Sequence, residues 1–284
     1  MNAPGILYLV ATPIGNLEDI TLRAVRILRE SDIIAAEDTR QTLKLLNHFD
    51  IKKPLVSYYE HNKLEKGNYL VARLLEGSNI ALVSDAGSPG ISDPGEDLVR
   101  LAVENGITVT MAPGPAAAVM GLVLSGMPAG RFAFEGFLPV NKRSRHERLA
   151  ALKDETRTMV FYEAPHKLIY TLKDMRGILG NRRIALAREL TKKFEEIIRC
   201  TLEEAIAKYE EVSPRGEYVL VVEGADEAGL AEAREKSWQE LSLKEHLELH
   251  LQQGLDKKQA IKKVAEERGL SKREVYNALL DRLS

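Results

Sequence analysis

The 284-residue sequence contains a single cysteine, Cys200. That excludes an intrachain disulfide, a thiolate zinc site and an iron–sulfur cluster, and it suits a reducing cytoplasm. Net charge is nearly absent: 40 Lys+Arg stand against 42 Asp+Glu, a balance of −2. A chain that grips nucleic acid by overall positive charge is thereby excluded, so any RNA contact must be local. The N-terminal segment lacks the cationic region of a signal peptide, and its apolar run Ile6–Ala11 is too short for one. No P-loop, no G-x-G-x-x-G after a strand and no G-x-S-x-G elbow occurs. His246 and His250 are four apart, but Glu248 stands where a zinc-protease helix would not have it. The pair reads as a solvated helix face, and no metal site is expected.

One stretch, 107–130, lacks charge over a length that could span a bilayer. It also holds Pro113, Pro115 and Pro128 with four glycines, and proline removes helix donors. It reads instead as a strand, a Pro-Gly-Pro turn and a buried alanine-rich helix. What is present is an ordinary globular mixture, 44% hydrophobic and 29% charged. At about 150 residues per domain, the length predicts two domains with room for a small third.

The first half alternates short apolar runs with helical patterns. Leu7–Ala11, Ile33–Ala36, Pro54–Tyr58, Ile80–Ser84 and Thr108–Ala112 read as strands buried on both faces. Thr21–Arg29, Thr39–His48, Leu64–Glu76 and Gly95–Glu104 read as helices between them. The expected class is α/β, with a mostly parallel sheet over 1–125. The second half, 126–224, offers strands at Arg131–Phe134, Met159–Tyr162, Ile184–Ala187, Ile197–Cys200 and Tyr218–Val222. Only some precede a full helix, so a mixed sheet is expected there. Thr201-Leu-Glu-Glu204 has capping-box spacing and predicts a helix to about Glu211. An acidic, alanine-rich linker follows over 225–241. Capping boxes at Ser242–Glu245 and Ser271–Glu274 then frame a helical unit, 242–284. In it Leu243, Leu247 and Leu251 recur every fourth residue, and Ile261, Val264, Ala265, Val275 and Leu279 mark two more amphipathic helices. This unit resembles a helix-turn-helix, with nine basic residues against seven acidic.

Ligands of parallel sheets sit beyond the carboxyl ends of the strands. Three unusual loops fall there. Ser84–Gly95 packs three glycines and two prolines into twelve residues and carries the carboxylate Asp85 at its start. Ala112-Pro-Gly-Pro-Ala116 opens a helix whose free N–H groups suit an anion. Ala11–Leu17 follows the first strand.

These strings carry a resemblance. Thr12-Pro-Ile-Gly-Asn-Leu17 with Asp19-Ile-Thr21, the Asp85-Ala-Gly-Ser-Pro89 loop and Pro113-Gly-Pro115 are similar to the tetrapyrrole-methylase superfamily. Glu37-Asp-Thr-Arg40, Phe134–Pro139, Phe161-Tyr-Glu-Ala-Pro-His166, Arg188-Glu-Leu-Thr-Lys192 and Arg215-Gly-Glu217 resemble its small-subunit ribosomal RNA 2′-O-methyltransferase branch. The likeness runs over 6–224. Ala116, Lys167 and Arg215 depart from the usual Ser, Arg and Lys of that branch. The first change removes a hydroxyl; the other two keep a positive charge.

The resemblance implies two α/β domains with a cleft between them, S-adenosyl-L-methionine (SAM) as cofactor, and a homodimer. It implies methylation of the ribose 2′-oxygen of a decoding-site cytidine in 16S rRNA, on the free RNA or in the 30S ribosomal subunit, with no membrane or metal partner. Cofactor contacts are expected at Pro13, at Asp85, Ala86, Gly87, Pro89 and Ile91, and at Pro113, Gly114, Pro115 and Ala116. Phe137, Leu138, Tyr162, Glu163, Ala164 and Arg188 are the expected contributors from the second domain. Asp85 either contacts the cofactor or caps its own loop.

A ribose hydroxyl needs a general base. Glu37, Asp38, Glu60, His61 and Glu163 are candidates. The expectation is His61 or Glu37 as base, with Arg40 on an RNA phosphate. Lys142, Arg143, Arg145 and Arg148, around His146, form a basic run that suits phosphate contact or is simply a solvated face. Two other readings stay open: a C-methyltransferase of tetrapyrrole or corrinoid synthesis, and a non-catalytic ribosome-binding protein on the same fold.

Overall fold

Alternate residues of the first-half strands point to opposite faces of one sheet, and both faces are covered. The computed structural model describes residues 3–230, 232, 241–252 and 254–280. It forms two compact units, residues 1–224 and 225–284. In the first, β1 (Ile6–Val10), β2 (Ile33–Ala36), β3 (Leu55–Ser57), β4 (Ile80–Val83) and β5 (Thr108–Ala112) build a parallel sheet in the order β3-β2-β4-β1-β5. Leu7, Ile33, Ala35, Ile80 and Leu82 pack against α3 (Lys63–Leu75) and α4 (Gly95–Glu104). Val10, Ile34, Ala36, Ala81 and Val83 pack against α1 (Leu22–Glu30) and α2 (Thr39–His48). Each fully buried aliphatic side chain contributes about 1.5–3 kcal/mol, which is why near-continuous apolar runs settle in the middle layer.

The second sheet is mixed. It comprises β6 (Phe132–Phe137), β7 (Thr158–Glu163), β8 (Arg183–Arg188), β9 (Glu196–Thr201) and β10 (Tyr218–Val222), ordered β6-β7-β10-β8-β9. Only β6 and β7 pair in parallel; the other three pairings are antiparallel. Strands β6, β7 and β8 therefore point the same way and end on one edge. Helices α6 (Lys142–Ala151), α7 (Leu168–Leu179) and α8 (Leu202–Glu211) cover one face. Thr201 and Glu204 form the expected reciprocal cap of α8.

The other face is covered by α5 (Ala117–Ser125), which leaves the first sheet after β5 and lies on the second. A Cβ at Gly121 would stand 2.7 Å from Val219 Cγ1, so the helix backbone rests directly on β10. The helix was expected to be buried. Its inner side is, but Val119 and Val123 are 50% and 67% exposed, because α5 covers the sheet with one side only. No described helix is long and apolar enough to cross a membrane. Strand β6 outruns its expected end at Phe134 through a bulge between Phe134 and Gly136, with Gly136 at φ +61°.

In the second unit, α9 (Leu243–Gln252), α10 (Lys257–Glu267) and α11 (Lys272–Leu280) enclose Leu247, Ala260, Val264, Ala265 and Val275. Both serine capping boxes form. A third, Asp256 with Gln259, opens α10. Leu251 is 38% exposed, outside the expected stripe. The side chain of Leu279 lies outside the described residues, as does most of the expected linker; residues 227–230 of it are helical.

The solvated reading of His246 and His250 is corrected: both are buried. Their Nε2 atoms lie 2.9 and 2.7 Å from Glu267 Oε2, and Arg268 Nε–H donates to His246 Nδ1 at 3.1 Å. Burial holds the His246 pKa below its ordinary value. These three side chains come close enough to surround a cation. However, a neutral imidazole that accepts at Nδ1 carries its proton on Nε2, the atom a metal would need.

Candidate active site at the carboxyl ends of the two sheets

The loops after β1, β4 and β5 interlock. Thr12 and Gly87 exchange backbone hydrogen bonds at 2.9 and 3.0 Å, and the Thr12 hydroxyl donates to the Ser84 carbonyl at 3.3 Å. The Ser88 hydroxyl donates to the Pro115 carbonyl at 3.5 Å. A Cβ at Gly114 would sit 2.8 Å from Ala11 Cβ, so only glycine lets these two turns touch. Within the long loop, Asp93 accepts from the N–H groups of Gly90, Ile91 and Gly95. Around that cradle Gly90 and Ser92 take up the left-handed region, as does Gly87 beside Thr12.

Two contacts join these loops to the second sheet. Ser92 Oγ lies 3.1 Å from the Cβ position of Gly136 at the β6 bulge. Gly15 faces the loop after β8, where its Cβ position is 2.2 Å from Lys192 Cγ and 3.0 Å from Thr191 Oγ1. The carboxyl ends of both sheets thus meet at one seam. Tyr162 packs beside the first turn of α5, and burial raises its pKa. Ala116 offers no side-chain cap to that helix, which leaves its first N–H groups open.

Carboxylates gather on the first-sheet side. Asp85 is exposed, and one of its oxygens accepts from the Asp38 N–H at 2.9 Å, tying the β4 loop to the β2 loop. Asp38 caps α2 through the Arg40 N–H and pairs with the Arg40 guanidinium at 2.8 Å, which lowers its pKa to about 2. Glu37 is half-buried beside them. Burial raises its pKa first, and the charges of Asp85, Asp93 and Asp38 raise it further.

The expected site residues divide into those that open onto the seam and those built into the protein. Asp85, Ala86, Ile91, Pro113, Gly114 and Phe137 are exposed; Pro13, Pro115, Ala116, Tyr162, Ala164 and Arg188 are partly so; Gly87 and Pro89 are buried in the loop itself. Leu138 belongs to the core under α6. Glu163 is 6% exposed, and its oxygens accept from the Ala164 N–H at 2.8 Å and the Thr171 hydroxyl at 2.5 Å. Both oxygens are thus occupied by internal donors. His61 is exposed on the loop after the edge strand β3, with its ring against Tyr59. Glu60 pairs with Lys63, which also bonds Asp97.

Of the basic run, Arg145 is largely internal, paired with Asp174 at 2.7 Å and donating to the Val140 carbonyl. Arg148 pairs with Glu135, and Arg143 with Glu147 one turn on. Sequence reasoning assigned no role to Lys192, Thr191 or Ser92. For Thr191 and Lys192 the signal was the Glu-Leu-Thr-Lys string, whose partner Gly15 lies far away in sequence.

The model of the tetrapyrrole (corrin/porphyrin) methylases matches residues 6–206. A ribosomal RNA small subunit methyltransferase I of Halalkalibacterium halodurans is 54% identical over 273 residues, 96% of this chain and 94% of that protein. Its namesake from Bacillus subtilis is 51% identical over 274 residues, with the same coverage. Among solved structures, a uroporphyrin-III C-methyltransferase of Thermus thermophilus, complexed with S-adenosylhomocysteine, matches with a TM-score of 0.54 and 20% identity. That match covers 77% of this chain and 97% of the other, and it establishes the shared fold. The chain belongs to the tetrapyrrole methylase family and, within it, groups with the ribosomal RNA small subunit methyltransferase I proteins.

Proposed function

We propose that this chain is a SAM-dependent methyltransferase that modifies the ribose 2′-oxygen of a decoding-site cytidine in 16S rRNA, and that it works as a homodimer in the cytoplasm. The observation that carries the reading is the 54% identity, over nearly the whole chain, to a protein named for small-subunit rRNA methylation. The seam is compatible with the cofactor. Exposed backbone at Gly114 and Ala86, the exposed Asp85 carboxylate and the apolar Ile91 side chain suit a nucleoside joined to a short zwitterion. The surrounding carboxylates suit its positive sulfur. When bound, SAM supplies an activated methyl group.

The chain's own part is to place the acceptor oxygen and remove its proton. Glu37 is the base this geometry favours, because it stands at the seam while His61 stands out on the edge-strand loop. Its carboxylate takes the proton from the 2′-hydroxyl, and its raised pKa makes it a stronger base than an ordinary glutamate. Fixed orientation at such a seam can lower the barrier by about 7–11 kcal/mol. Arg40, 87% exposed beyond its bond to Asp38, reaches toward an RNA phosphate. Lys142 and Arg143 extend that contact from the start of α6.

Titration with S-adenosylhomocysteine, followed by incubation of labelled SAM with undermethylated 30S subunits or with uroporphyrinogen III, tests the reading. Binding with label on rRNA is the expected result. Label on the tetrapyrrole alone makes the chain a C-methyltransferase, and failure to bind makes it a non-catalytic protein.

A further inference from the structure

The loop between β8 and β9, residues 189–195, is stiffer and more strained than a connection of its length requires. Glu189 and Thr191 both sit in the left-handed region, at φ +52° and +65°. For a β-branched residue that is a true outlier. Such strain persists only where the surroundings impose it, and it clusters at functional sites.

Here the surroundings are explicit. Glu189 Oε1 accepts from Lys192 Nζ and from the Glu217 N–H, both at 2.9 Å, and Lys192 Nζ also bonds Glu217 Oε2 at 2.9 Å. The Thr191 N–H donates to Glu195 Oε2 at 2.6 Å. Gly216 leaves no room for a Cβ, because the Glu189 side chain fills that space. The stem of Lys192 then crosses Gly15, which fixes the loop against the first-sheet side of the seam. Arg188 Nε and Thr191 Oγ1 are buried without a partner, a further cost of holding this shape.

This rigid loop holds two side chains outward. Phe194 is 64% exposed, and the Lys193 ammonium lies 5.7 Å from its ring centroid. Lys193 forms no ion pair with the described residues, whereas Glu189, Glu195 and Glu217 are all engaged within the loop and its neighbour. Because β8 runs parallel to β6 and β7, the loop opens on the same edge as Phe137 and the start of α6. Three strand spacings, about 14 Å, separate the ends of β6 and β8.

We propose that Phe194 stacks on a base of the single-stranded RNA beside the methylated nucleotide, while Lys193 contacts that strand's phosphate. An exposed ring with a cation next to it has the chemistry of a single-strand platform, since every base offers a π-face and every linkage a charge. The strand would cross the mouth of the seam from Lys142 to Phe194. The inference rests on the rRNA reading and assigns two specificity residues to it.

The test is steady-state methylation of undermethylated 30S subunits by wild type, Phe194→Ala, Phe194→Trp and Lys193→Ala. It is paired with the fluorescence of an rRNA fragment carrying 2-aminopurine next to the acceptor. Phe194→Ala is expected to raise KM for RNA about 5- to 100-fold. KM for SAM and kcat stay unchanged, and the 2-aminopurine quench is lost. Phe194→Trp restores both, and Lys193→Ala lowers the salt slope of binding by about one. An unchanged RNA KM in Phe194→Ala overturns the proposal. So does a loss of kcat that tryptophan does not rescue. A drop to monomer with RNA KM unchanged also overturns it and assigns the ring to contact between two copies. If wild type methylates no RNA, the rRNA reading falls and the inference with it.

Discussion

At the scale of residues, Glu37 carries the sharpest consequence. Burial and three neighbouring carboxylates disfavour its charge, so its folded pKa lies above the unfolded one. The proton is bound more tightly in the folded state. Its stabilising effect is therefore full at low pH and is lost as pH rises through the folded pKa. At pH 7 the carboxylate opposes folding, and Glu37→Gln should raise Tm. The same variant should slow methylation by about 10²–10⁴-fold, with S-adenosylhomocysteine affinity kept. In wild type, the rate should fall on the acid side at a pH above the usual glutamate range. A slower but equally pH-dependent Glu37→Gln enzyme would move the base elsewhere.

Glu163 is a buried carboxylate held by internal donors. Its position after Phe161-Tyr162 marks the end of a strand, and it was legible as a site candidate. What the sequence did not display is Thr171, one turn into α7, which satisfies one of its buried oxygens. Thr171→Val leaves that oxygen without a donor and should cost about 1–3 kcal/mol, or roughly 3–10 °C in Tm. Thermal unfolding with cofactor affinity measured alongside checks it; an unchanged Tm would show that the pair is not structural.

At the scale of elements, the parallel sheet was readable because its strands are apolar on both faces and alternate with helical patterns. Strand β6 continues past its expected end through a bulge, which propensity alone does not display. The helix α5 was recognisable, but which sheet it covers depends on Gly121 meeting Val219, ninety-eight positions on. Gly121→Ala should push α5 off β10 and cost about 1–3 kcal/mol, despite alanine's better helix propensity. Denaturant unfolding measures this, and a stabilised variant would contradict the close approach. In α9 the buried histidines read as polar because their partners, Glu267 and Arg268, come from the end of α10 and the residue that caps it.

At the scale of the whole molecule, a net charge of −2 conceals an uneven distribution. Carboxylates line the first-sheet side of the seam, while the cations assigned here to RNA are Arg40, Lys142, Arg143 and Lys193, of which Arg40 and Arg143 would exchange a carboxylate partner for phosphate. Four phosphate contacts on a single strand predict a slope of about −3 for log K against log salt. Binding measured between about 50 and 200 mM salt should show it. A slope steeper than about −6 would require a basic surface beyond these residues. The loops of the seam were legible as glycine-proline strings at strand ends. Their convergence was not, because it is made by Gly15 against Lys192 and Gly136 against Ser92.

The most direct measurement is the position of the methyl group. Undermethylated 30S subunits, labelled SAM and the full chain should yield one labelled cytidine in 16S rRNA. Its 3′ linkage should resist alkali, because a methylated 2′-oxygen cannot attack the neighbouring phosphate. Label on a base, leaving that linkage alkali-labile, would contradict ribose methylation. Label absent from rRNA and present on a tetrapyrrole would contradict the account as a whole.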